Sequence, residues 1–279
     1  MLRRKQLLWA VVGLVVIACP SVWAMDMAKD ISGEVSVDYF GKYIWRGQAL
    51  TDDPVLQPSI TFNCPEDKFH FNIWANMDLT TVNGTRNDFT EVDYTLSYTD
   101  ALPGVDGIGY EAGIIYYTFG PDSYLGATGN PHDTSEIYGG LSFENCPYSP
   151  TVTLYYNLEE VAGFYGNVAI SHSLEISEMG EGMQNVADSV AEGMLSTIDL
   201  SASLGAGDDT YNRHYWSSSA PTALNDLVLS LAIPVKVCDS CTITGSVNYV
   251  SLIDGSISKY SYNGDKENVY GGVGMVVPF

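Results

Sequence analysis

Lys68 to Thr80 reads KFHFNIWANMDLT and divides by parity. Phe69, Phe71, Ile73, Ala75, Met77 and Leu79 share one face, while Lys68, His70, Asn72, Trp74, Asn76, Asp78 and Thr80 share the other. Successive side chains of an extended strand point to opposite faces, so strict period two predicts a strand, and here one far longer than the usual five or six residues or so. TEVDYTLSYT alternates in the same way, with Val92, Tyr94, Leu96 and Tyr98 against Glu91, Asp93, Thr95, Ser97 and Thr99. So does TVTLYYNLE, with Val152, Leu154, Tyr156 and Leu158 against Thr151, Thr153, Tyr155, Asn157 and Glu159. Long strands with one dry and one wet face are the mark of a transmembrane β-barrel.

Segments of this kind span residues 34–46, 55–63, 68–80, 89–99, 108–119, 135–144, 150–159, 164–176, 195–206, 225–235, 242–252 and 267–279. They predict an all-β fold, a single closed antiparallel barrel of about 12 strands, with both termini on one side because the count is even. The connections alternate in kind. NCPEDK, DALPGVDG, ENCPYS and KVCDSC are compact and rich in turn residues, whereas GPDSYLGATGNPHDT, GAGDDTYNRHYWSSSAPTA and DGSISKYSYNGDK are longer and polar. That is the asymmetry between periplasmic turns and extracellular loops. SEMGEGMQNVADSVAEGM is too long for a tight turn and suggests a short helix, and Pro58 removes a ladder donor from the second segment. Phe62, Phe69, Tyr98, Tyr110, Phe143 and Phe279 face outward near the turn side and predict an aromatic girdle.

The start of the chain changes the picture. Arg3, Arg4 and Lys5 precede the apolar run LLWAVVGLVVIA, and Val22 and Ala24 fit the small-residue pattern of a cleavage site, so residues 1–24 read as a signal peptide and residues 25–279 as the barrel. A lipobox at VIAC, with Cys19 as a lipidated terminus, is the rival reading, and either one exports the chain. Beyond the leader no apolar run reaches the roughly 20 residues of a membrane helix. Removing the leader leaves nine of the 12 basic residues against all 34 acidic ones, a formal charge of −25, which speaks against nucleic acid as a partner.

Candidate chemistry is sparse. Cys64, Cys146, Cys238 and Cys241 all map to the turn side. CDSC has no second CxxC and no thioredoxin-like context, so a disulfide between Cys238 and Cys241 across the hairpin is expected, while pairing of Cys64 with Cys146 stays open. His70, His132, His172 and His214 lack metal-ligand spacing, and NGT at Asn83 reads as a tight turn rather than a glycosylation acceptor. No nucleophile–base pair stands out, so the chain is expected to be no enzyme and to need no cofactor.

One arginine stands out in this acidic chain. In EVSVDYFGKYIWRG, Val35, Val37, Tyr39, Tyr43 and Trp45 share one parity and Ser36, Asp38, Lys42, Ile44 and Arg46 the other. Continued as one strand, this puts Tyr43 and Trp45 in the upper interfacial girdle. Arg46 then points into the lumen at the extracellular rim, with Lys42 below it and Asp78, Glu91, Asp93, Glu136 and Glu159 as an acidic ring.

The stretch VDYFGKYIWRGQALTDDPVLQPSITF, with YEAGIIYYTFGP and SEIYGGLSF further on, resembles the TorF-type family of outer-membrane porins from about Gly33 to Leu158. The second half, with its EISEMGEGMQNVADSVAEGM insertion and cysteine-bearing turns, departs from that pattern. The resemblance implies a porin-like barrel. The expected partners are outer-membrane lipid, small solutes, and the assembly machinery, which would read the last strand ending in Phe279. The expected function is a passive channel for small polar, cationic solutes. Bulky inward Trp74, Tyr117, Tyr138 and Tyr155 keep a lumen-filled structural or adhesive barrel as the alternative, and a barrel hydrolase is a third.

Overall fold

The computed structural model describes residues 31–82, 84, 86–120, 133–159, 161–191, 194–259 and 265–279. The leader with Cys19, and also Asn83 and His132, lie outside the described residues. Twelve strands close an antiparallel barrel in sequence order. They are β1 (Ser32–Phe40), β4 (Val55–Asn63), β5 (Phe69–Asp78), β6 (Phe89–Ala101), β7 (Ile108–Phe119), β8 (Thr134–Phe143), β9 (Thr151–Asn157), β10 (Phe164–Glu175), β11 (Thr197–Gly207), β12 (Ala223–Cys238), β13 (Cys241–Leu252) and β14 (Glu267–Pro278). Closure is made by β1 against β14, in register from Glu34 opposite Pro278 to Phe40 opposite Gly272. Gly33 and Phe279 exchange both backbone hydrogen bonds, at 2.9 and 2.8 Å, so the ring has no open edge at the chain ends.

The outward parity is apolar and exposed. Leu96, Leu154, Val168, Val247 and Val273 each leave about half of their surface uncovered. A continuous apolar belt around a closed barrel is a lipid-facing surface. At the end carrying the termini it is finished by ring contacts, Phe62 on Phe279 at 5.9 Å, Phe69 on Tyr98 at 4.9 Å and Tyr98 on Tyr110 at 6.1 Å. That is the girdle expected from parity. Pro58 stays in β4 opposite Val37 of β1, but the β4–β5 ladder skips Gln57 and Pro58, as the missing N–H requires. The long connection after β10 contains the expected helix, α1 (Glu181–Ala191).

The first predicted strand does not run to residue 46. The Gly41 N–H donates to Gly271 O at 3.0 Å, and beyond that rung the chain leaves the wall. Residues β2 (Tyr43–Trp45) and β3 (Gln48–Thr51) form a two-stranded sheet of their own, separate from the barrel ladder. The hairpin folds inward, as does α2 (Asp209–Tyr215) from the connection between β11 and β12. A third inward element is α3 (Gly255–Ser258), whose Ile257 is fully buried. The core therefore sits inside the loop-side half of the barrel, where Tyr43, Thr51, Val55, Tyr211, Asn212, Asn225 and Leu252 are buried. The opposite half is lined mainly by polar and charged inward side chains. A cavity of about 530 Å³ opens there, lined by Glu66, Asp67, Lys68, Thr99, Gly109, Glu111, Gly140, Ser142, Glu144, Thr151 and Thr153 among others.

Candidate functional site

The hairpin turns on two residues, Arg46 and Gly47, with Trp45 paired to Gln48. Both carry positive φ, 46° and 82°, the arrangement whose twist suits a two-residue hairpin. Glycine fills the second position without penalty, and a Cβ there would lie 2.7 Å from Asp226 Cβ and 2.8 Å from Leu252 Cδ2. Arginine in the left-handed region costs about 1–2 kcal/mol. What offsets that cost is the surroundings of its guanidinium.

Arg46 Nη1 and Nη2 donate to the two oxygens of Glu136 at 3.0 and 2.7 Å, a bidentate pair with side chains 9% and 1% exposed. Its guanidinium carbon lies 4.5 Å from the Trp45 ring centroid, 4.4 Å from Tyr155, 4.5 Å from Tyr165 and 5.8 Å from Tyr211. The planar cation thus sits in an aromatic box closed by one carboxylate, where both its fork and its faces are used. Partners outside the box hold the walls. Tyr117 OH donates to Glu136 Oε2 at 2.9 Å, and Tyr165 OH is shared by the two Asp226 oxygens at 3.1 and 3.2 Å. Close approach of Tyr165 depends on Gly205, since any Cβ there would collide with the phenol oxygen.

The remaining sequence candidates disperse, and the rim placement of Arg46 needs correction. Arg46 is enclosed in the lumen, because its hairpin folds in rather than extending the wall. Tyr43 and Trp45 are lumenal for the same reason. Tyr43 packs on Trp74 at 5.6 Å and donates its hydroxyl to Glu91 Oε2 at 2.8 Å, while Trp45 packs edge-on against Tyr117 and Tyr215. Lys42 pairs with Asp52 and donates to Asn268 Oδ1 at 3.0 Å, which holds the base of the hairpin. Asp93 shares the inward face of β6 with Glu91, and its Oδ1 has no hydrogen-bond partner among the described residues. Asp78 is buried in an amide network in which Asn76 also bonds Gln57 and Thr90. Glu159 is exposed beyond the end of β9, with its N–H on Asn157 Oδ1, and belongs to no ring.

Cys238 and Cys241 stand opposite each other in the β12–β13 register, at the end of the hairpin where the bridge is expected, with their thiols unlinked. Cys64 and Cys146 are free as well. Tyr165 of the box and its partner Asp226 carry a readable signal, since alternation along β10 and β12 puts both on the inward face with Glu136. Tyr211 lies in the short helix α2 of a connection, outside the strand alternation, and carries none.

From the box, contacts lead toward the open cavity. Tyr155 stacks on Tyr138 at 5.5 Å, and the Tyr138 hydroxyl donates to Glu111, which lines the cavity wall. The arrangement offers a plug that carries one enclosed, paired arginine, a layer of phenols beneath it and a polar chamber beyond.

No protein-family model and no curated protein matches the chain. Among solved structures it is similar to the KdgM porin in complex with disordered oligogalacturonate, at 8% identity over 89% of this chain and 99% of that one, with a TM-score of 0.48. It is likewise similar to the NanC porin, at 9% identity over 88% and 98% of the two chains, TM-score 0.48. An outer-membrane channel from Pseudomonas putida F1 is similar at 9% identity over 93% of this chain and 100% of that one, TM-score 0.47.

Proposed function

We propose that the protein is a porin-like outer-membrane channel for small polar solutes, cation-preferring and narrowed by its own hairpin. The observation that carries this reading is the contrast between an apolar, exposed outer face and a cavity of about 530 Å³ with polar and charged lining in the half of the lumen opposite the hairpin. Cation preference is supported by the surplus of inward carboxylates, Glu91, Asp93, Glu111, Glu136 and Asp226, over Arg46, Lys42 and Lys68, since low-dielectric walls focus such a field. The same reading takes residues 1–24 as the export leader, the strand ending in Phe279 as the assembly signal, and the chain as a non-enzymatic member of the TorF-type family.

Packing of the loop-side half is the observation behind a second reading, a filled structural barrel. Val55, Asn212, Asn225 and Ile257 have no exposed surface, which is how a plugged lumen looks. Planar-bilayer recording of refolded protein separates the two. Discrete currents with a cation-selective reversal potential across a salt gradient support the channel, and silence of both wild type and Arg46→Ala supports the filled barrel. An anion-selective pore would overturn the electrostatic part.

A further inference from the structure

Viewed from the barrel wall, the guanidinium of Arg46 is a guest. The groups that receive it belong to other elements, Glu136 on β8, Tyr155 on β9, Tyr165 on β10 and Tyr211 on α2. The bonds that set those groups in place do not come from the hairpin either. Tyr117 of β7 holds Glu136, and Asp226 of β12 holds Tyr165. Of the four rings, Trp45 alone travels with the guest. Withdrawal of the hairpin would therefore leave the Glu136 carboxylate beside the tyrosine faces, still held by Tyr117. Such a box selects by shape as well as charge: a planar fork satisfies both carboxylate oxygens while its faces lie on the rings, and a compact ammonium cannot do both.

We propose that this carboxylate–tyrosine box is a recognition site for guanidinium-bearing solutes, which Arg46 occupies in cis as a tethered ligand. The two-residue turn is what delivers the tethered copy. Arg46 accepts a left-handed backbone so that its side chain reaches the box, and the short tether gives it an effective concentration in the millimolar range or above. A free solute competes poorly while the hairpin is docked, so the same contact serves as occupant and as closure. The route of a solute to the box rests on the channel reading; the box itself does not.

The test uses the refolded barrel in detergent and two small cations, methylguanidinium and methylammonium, at about 1–10 mM and matched ionic strength. In Arg46→Ala, methylguanidinium should raise the unfolding temperature in a saturable way, with at least roughly tenfold preference over methylammonium. Wild type, whose box is filled, should not respond, and Arg46→Ala/Glu136→Gln should lose the response. Equal shifts for both cations, or a shift that survives Glu136→Gln, would overturn the proposal. Should Arg46→Ala refold poorly, refolding yield is the readout, and only methylguanidinium should restore it; no rescue overturns the proposal. A barrel that responds to methylguanidinium yet carries no current refutes the channel and keeps the site, whereas a conducting barrel without that selectivity does the reverse.

Discussion

Replacing Arg46 by alanine removes the fork from Glu136 and the cation from between the rings in one step. Glu136 is 1% exposed and would be left as a buried carboxylate holding only the Tyr117 hydroxyl. Breaking a buried pair from one side costs about 3–5 kcal/mol, and stacking on desolvated rings adds up to about 2 kcal/mol. The same guanidinium makes both sets of contacts, so the two do not simply add, and about 4 kcal/mol is the expected loss. Alanine gives no backbone relief, because φ at this position is 46° and alanine shares the left-handed penalty. At roughly 2–4 °C per kcal/mol for a chain of this size, the unfolding temperature should fall by about 8–16 °C.

Arg46→Gly loses the same contacts but relaxes the turn, so it should unfold about 2–4 °C above the alanine variant, the worth of about 1 kcal/mol. Band shift on heating in detergent and circular dichroism both follow the transition. An alanine variant within about 2 °C of wild type would refute the view of Arg46 as a buried strut, and a glycine variant no better than alanine would refute the strained turn. Removal of a lumenal cation should also move the reversal potential further toward cation selectivity; a shift toward anions would count against the field of the carboxylates.

Gly47→Ala meets Asp226 Cβ at 2.7 Å and Leu252 Cδ2 at 2.8 Å with φ at 82°, and should cost about 2–3 kcal/mol, seen as earlier unfolding; a neutral result would mean the hairpin does not dock as described. Leu154 lies mid-strand on the apolar face and is 52% exposed, so Leu154→Arg should cost about 2–4 kcal/mol in a bilayer, while Thr153→Arg on the cavity wall should cost far less. The reverse order in urea titrations of folded protein in liposomes would invert the assigned faces. Cys238 and Cys241, opposed across the β12–β13 hairpin, should bridge in an oxidising compartment, so a maleimide should modify neither in unreduced protein from the native membrane; labelling of both would refute the bridge.

Much of the fold is legible without coordinates because strand alternation is a local property. Each wall strand must show lipid one face and the lumen the other, so β4 and β7 can be placed to the residue and most others within two or three. Even the aromatic girdle at the closing seam follows from parity, as the Phe62–Phe279 contact illustrates. Alternation fails where the same parity serves two destinations. Tyr43 and Trp45 suit a lipid interface, and they suit equally a lumen lined by Trp74, Tyr117 and Tyr215. What sends them inward is a set of contacts far away in sequence. Arg46 meets Glu136 across 90 residues, and Tyr155, Tyr165 and Tyr211 come from three further elements. A short sequence window contains none of those partners, so it shows the parity of residues 43–46 but neither the turn at Arg46 and Gly47 nor the place the barrel has for it. That decision belongs to the closed wall, which brings one buried carboxylate and the tyrosine faces to the point where an arginine on a tight turn can reach them.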